Sequence, residues 1–176
     1  DLQYVYSNRL SYGKLRSEED VIWSFAPHDI SMILSIAGQE PSSVKAEPVI
    51  ILQDDIADAA IIHMEFPSGL KAHISVSWLH PYKEQKLVMV GKSGMLVFDD
   101  TKPWDEKLAL YRHVVDLSQK FPSLEKAEVE YLNVPQSEPL KNECLHFIDV
   151  AAGNVSPITD GNEGIRVLRV LEQTSS

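Results

Sequence analysis

The stretch WSFAPHDISMIL, residues 23–34, sets an imidazole and a carboxylate side by side just past a proline. Imidazole is the side chain whose ordinary pKa best suits proton transfer near neutral pH, so His28 is a candidate general acid/base. On a helical wheel His28 lies with Ser31 and Ser35, away from Ile30, Ile33 and Leu34, and can project into a cleft. Arg9, Lys14 and Arg16 just upstream are cations able to meet an anionic substrate. A plainer reading stands beside this one. Asp29 in a first helical turn complements the helix dipole, worth about 0.3–1 kcal/mol, and His28 is then an ordinary surface residue.

Other chemistry finds little support. None of the six histidines forms HExxH, and the lone Cys144 provides no zinc-finger set, so no metal centre is expected. GKSG at 91–94 lacks the spacing of a phosphate loop and separates two strand-like segments, which predicts a hairpin. Cys144 lies on an apolar helical stripe, where it behaves as a small hydrophobe, and no nucleophile elbow supports a serine hydrolase.

The elements that must position His28 follow from periodicity. Residues 2–10 read as a strand, followed by a charged loop with Gly13 at its tight point. Pro27 suits a first helical turn, Ile30, Ile33, Leu34 and Ala37 make the apolar face, and Gly38 is the stop. From residue 43 to about 134 the period becomes that of strands: 43–53, 58–66, 70–79, 83–91, 94–100, 107–115 and 127–134. In LKAHISVSWL, Leu70, Ala72, Ile74, Val76 and Trp78 face one way, and Lys71, His73, Ser75 and Ser77 the other. Two helices end the chain. One carries Leu140, Cys144, Phe147, Ile148 and Ala151 on a stripe, and the other has Ile165, Leu168 and Leu171 as its expected core-facing residues. This order predicts an α+β fold: an open-faced, predominantly antiparallel sheet with its helices on one face, in a single domain spanning 1–176.

Composition bounds the rest. With a formal charge of -10 and no Lys/Arg cluster, a nucleic-acid partner is not expected. A single cysteine leaves no internal disulfide and suits a reducing compartment, the cytoplasm. The apolar runs are strand-sized, far below the roughly 20 residues of a membrane span, and no signal peptide opens the chain. DLQYVYSNRL begins as a strand already under way, so a further segment is expected upstream.

SNRLSYGKLRSEEDVIWSFAPHDISMIL resembles the C-terminal domain of the Gfo/Idh/MocA oxidoreductases, especially the branch acting on UDP-N-acetylhexosamines or their uronates. The resemblance continues through GLKAHISVSWLHPYK, VGKSGMLVFDD, PLKNECLHFIDV and SPITDGNEGIRVLRVLE, in that order. It implies an NAD(P)-dependent dehydrogenase that removes hydride from a secondary alcohol of a sugar or sugar nucleotide. Histidine of the family's HD motif maps onto His28, as proton acceptor or relay, with Arg9, Lys14, Ser24 and Asp29 as substrate contacts. NAD or NADP would be held by an N-terminal Rossmann domain. This sequence contains neither GxGxxG nor EKP, so no cofactor-binding residue is assigned. Many relatives carry aspartate four residues before the histidine, where this chain has Ser24, which cannot hold a charge against an imidazolium. The resemblance also implies a homo-oligomer contacting through the sheet. A non-catalytic sheet domain for self-association or partner binding is the alternative, since the Lys71/His73/Ser75/Ser77 face is compatible with a wet dimer interface.

Overall fold

The computed structural model describes residues 2–175 apart from Leu117 and Gln119. Strand β1 (Leu2–Tyr12) leads into helix α1 (Val21–Ala37), and a meander follows of β2 (Ser43–Val49), β3 (Ala59–Glu65) and β4 (Lys71–Ser77). Then come β5 (Leu79–Gly91), β6 (Gly94–Asp99), β7 (Leu108–Tyr111), β8 (Val114–Asp116), β9 (Ser123–Glu125) and β10 (Val129–Tyr131). Helices α2 (Pro139–Ala151) and α3 (Gly161–Thr174) close the chain. Eight strands form one sheet in the order β10-β7-β6-β5-β1-β4-β3-β2, while β8 and β9 pair separately. The predicted α+β architecture is present. Every neighbouring pair is antiparallel except β1 with β4, which run parallel because α1 and two strands intervene before β4 returns beside β1.

The core lies between this sheet and α1, with α3 packed beside it. The expected alternation in β4 holds: Leu70, Ala72, Ile74, Val76 and Trp78 are all buried. They meet Val21, Ile22, Ala26, Ile30, Ile33 and Leu34 of α1, with Val170 and Leu171 of α3 in the same cluster. Burying each large aliphatic side chain of this set contributes roughly 1.5–3 kcal/mol. Gly91 and Gly94 pair across the predicted β5–β6 hairpin. Gly94 has a local reason: a Cβ there would stand 2.7 Å from the Tyr111 carbonyl oxygen of the neighbouring strand. No helix among the described residues is long and apolar enough to cross a membrane.

Four expectations need correction. Helix α1 starts six residues before Pro27, with Asp20 as N-cap accepting from Trp23 N–H at 3.0 Å. Asp29 is therefore a mid-helix residue and does not act on a helix dipole. A proline inside a helix costs about 3 kcal/mol; the burial of Val21, Ile22 and Ala26 by the extra turns offsets it. The segment 107–115 splits into β7 and β8. In α3 the expected Leu171 is buried, but Ile165 and Leu168 are about half exposed, and Val167, Val170 and Thr174 complete the inward stripe instead. Helix α2 keeps its stripe outside the core: Leu140 is 73% and Phe147 72% exposed, and Cys144 is exposed as well.

β2 also ends early, at Val49, and the cause is one buried carboxylate. Asp58 Oδ2 accepts the N–H groups of Ile51 and Leu52, both at 2.8 Å, and Oδ1 accepts Trp78 Nε1–H at 2.6 Å. These bonds pull the chain away from the strand and anchor the indole that fills the core. Burial pushes the Asp58 carboxyl up, but the Leu52, Trp78 and Ile51 donors more than offset it, so its pKa lies below the ordinary 3.8. A depressed carboxyl stabilises the fold at pH above its unfolded value, and that contribution is lost as pH falls through the folded value. Asp58→Ala leaves the buried Trp78 indole N–H and two part-buried backbone N–H groups unpaired and is expected to lower the unfolding free energy by about 2–3 kcal/mol at neutral pH, measured by urea denaturation. The difference from the native chain should shrink below about pH 4.

Candidate active site

Alternation along β1 turns Val5, Ser7 and Arg9 toward α1, where Ser7 is fully buried. On α1, Ile22, Ala26, Asp29 and Ile33 recur at three- and four-residue spacing, which puts Asp29 on the core stripe. Its side chain is only 2% exposed. The two elements meet there: Ser7 Oγ–H donates to Asp29 Oδ1, and Arg9 Nε–H donates to Oδ2. Gln85 of β5, opposite Arg9 in the β1–β5 register, braces the guanidinium from the other side. With its amide set to suit both neighbours, Gln85 Oε1 accepts from Arg9 Nη1 and its nitrogen donates to Asp100 Oδ2, each at 3.2 Å.

His28 is exposed on the rim one residue from this pair, and its imidazole makes no hydrogen bond to any described residue. Two open clefts share Arg9, His28 and Gln85. The first, about 640 Å³, is also lined by Lys14, Ser24, Tyr82 and Lys83. The second, about 540 Å³, adds Asp29, Ser31, Lys86 and Asp100. In a chain of net charge -10, the first cleft presents Arg9, Lys14 and Lys83 around an imidazole with no carboxylate in its wall. The wall of this cleft is thus locally basic within an acidic chain. The free imidazole can accept a proton from a hydroxyl bound there.

Arg9, Lys14, Ser24 and His28 are thus brought together in one cleft, and Asp29 lies beneath them at the second. Arg16 is not with them; it pairs with Glu19 at 3.4 Å. Tyr82, Lys83, Gln85 and Ser7 went unread in the sequence. Gln85 carried a faint signal, since it shares period-two register with Leu87 and Met89.

The family model of the GFO/IDH/MocA C-terminal domain matches residues 6–97, more than half of the chain. The chain belongs to this family. No curated protein matches it significantly. Among solved structures, UDP-N-acetylglucosamine 3-dehydrogenase GnnA from Acidithiobacillus ferrooxidans superposes with a TM-score of 0.78 at 23% identity, covering 98% of this chain and 53% of that one. The WlbA dehydrogenase from Bordetella pertussis, in complex with NADH and UDP-GlcNAcA, gives 0.67 at 16% identity, covering 99% and 51%. Aldose-aldose oxidoreductase from Caulobacter crescentus, complexed with glycerol, gives 0.71 at 16% identity, covering 97% and 51%. At these identities the likeness establishes the fold. The chain spans about half the length of these relatives.

In this GFO/IDH/MocA domain Lys14 carries a left-handed backbone, φ +60, directly after Gly13 at φ +99. A left-handed non-glycine residue costs about 1 kcal/mol, a strain that persists where the side chain serves another purpose. Lys14→Gly is expected to stabilise the fold by about 0.5 kcal/mol, because relief of strain is partly offset by a looser unfolded chain. Urea denaturation checks it, and a loss of stability would assign Lys14 a structural role instead.

Proposed function

We propose that the chain is the substrate-shaping domain of an NAD(P)-dependent oxidoreductase that oxidises a secondary alcohol of a sugar or sugar nucleotide. The observation that carries this reading is the carboxylate-free cleft in which Arg9, Lys14 and Lys83 surround the unpartnered His28. The cations offer a site for the charged part of a sugar nucleotide or uronate, and exposed Tyr82 offers a ring face for the sugar or base. His28 accepts the hydroxyl proton, and the growing negative charge on that oxygen favours departure of hydride from the same carbon. Arg9 and Lys14 anchor the anionic end so that the reacting hydroxyl lies within reach of His28.

A bound nicotinamide cofactor would supply the hydride acceptor. The helix starts among the described residues are poor seats for its pyrophosphate. Helices α1 and α3 begin at the carboxylates Asp20 and Asp160, which already occupy their first N–H groups, and α2 begins with Pro139. We therefore assign the cofactor to a nucleotide-binding domain outside these residues. The relatives' length beyond this chain and the uncovered apolar stripe of α2 support that assignment. His28→Ala in the two-domain enzyme is expected to lower kcat by about 10²–10⁴-fold. An unchanged rate would remove His28 from the mechanism.

The open face of the sheet favours a second role that is compatible with the first. Tyr6 stacks on His73 with ring centroids 5.5 Å apart, Tyr4 hydrogen-bonds the same imidazole, and His63 lies 6.2 Å from it. This cluster is half-buried to exposed among the described residues, and we propose that it contacts a second copy of the chain. Sedimentation velocity at increasing concentration should show a dimer; a strict monomer at high concentration would contradict this role.

A further inference from the structure

We propose that Asp29 is a positioning residue: from beneath His28 it fixes the Arg9 guanidinium so that the remaining Arg9 donors form an anion subsite for a phosphate or carboxylate group of the substrate. The inference rests on the oxidoreductase reading and assigns a role within it. An arginine carries five N–H donors in a planar fork. Here Nε–H is taken by Asp29 and one Nη1–H by Gln85, which leaves three donors and fixes the plane in which they point. Arg9 lines both clefts, and its side chain is 19% exposed, so one end of the fork is sealed in protein and the other is open. A long cationic side chain on a surface must give up rotamer freedom when it clamps an anion, and Asp29, itself held by Ser7, removes that freedom beforehand. Both carboxylate oxygens are engaged inside the fold, and Asp29 acts on the ligand through Arg9.

Inorganic pyrophosphate is the probe, titrated calorimetrically into the chain and its variants, with circular dichroism reporting the fold. The native chain is expected to bind it. Asp29→Asn keeps the shape but loses the charge that orients Arg9, and is expected to weaken binding about 10-fold. Arg9→Ala should weaken it at least as much, and adding Asp29→Asn to Arg9→Ala should change nothing further, a coupling that a merely structural role would not produce. If Asp29→Asn does not fold, Ser7→Ala removes half of the clamp and is expected to weaken binding 2–5-fold; native-like binding in that variant would overturn the proposal. Native-like binding by a folded Asp29→Asn overturns it while leaving the anionic-substrate reading intact. No binding by the native chain overturns both.

Discussion

A carboxylate on the apolar stripe of a helix cannot enter a protein core alone. Asp29 occupies that place on α1, and desolvating it is tolerable only because Ser7 and Arg9 of β1 converge on its two oxygens. The bond fixes how α1 is rotated and how far it is slid along the central strand. With Asp29 turned inward, the helical step of about 100° turns His28 out onto the rim. The same anchor points Arg9 outward beside it. One half-buried ion pair thereby sets the geometry of the His28 imidazole and a cation at a single cleft.

The sheet divides the remaining work. Its helix-facing side holds the hydrophobic core near β1, β3 and β4, and farther across, where Leu87, Met89 and Phe98 line a groove of about 950 Å³ with α1 and the start of α3, it stays open. Its opposite side carries rings and polar groups, among them Tyr4, Tyr6 and His73. β1 lies at the centre, bonded to β4 on one side and β5 on the other, so the strand bearing Ser7 and Arg9 is among the most constrained in the molecule. Asp58 does a comparable job at the other end of the core, where it holds Trp78 and releases the chain from β2.

Much of this was legible in the residues. The alternation of Leu70 to Trp78 read directly as a half-buried strand, because every second side chain was apolar. The glycines flanking Lys92 and Ser93 marked the hairpin for a similar local reason. Helix α1 misled, since Pro27 looks like a first-turn residue; yet Asp20 and the recurrence of Val21, Ile22 and Ala26 before it were a continuous helical stripe. The stripe also held the signal missed at Asp29, a charge three residues from Ala26 and four from Ile33. In α3 two overlapping stripes were possible, and only packing against α1 and β2 selected Val167, Val170 and Leu171. Lys83 and Gln85 reach the cleft through the pairing of β5 with β1, a contact across more than 70 residues that no local pattern encodes. His28 and its neighbours Arg9, Lys14 and Ser24 were placed in one site by the family resemblance; the fold brings them to one cleft wall.

The most direct measurement is a two-dimensional NMR titration of the chain with UDP-N-acetylglucosamine, the sugar nucleotide named for the Acidithiobacillus ferrooxidans relative. Shifts concentrated at Arg9, Lys14, Ser24, His28 and Tyr82, with movement of the His28 ring protons, are the predicted result. Shifts centred on Tyr6 and His73 of the open face, or none at all, would contradict the claim that the cationic cleft beside His28 receives the substrate.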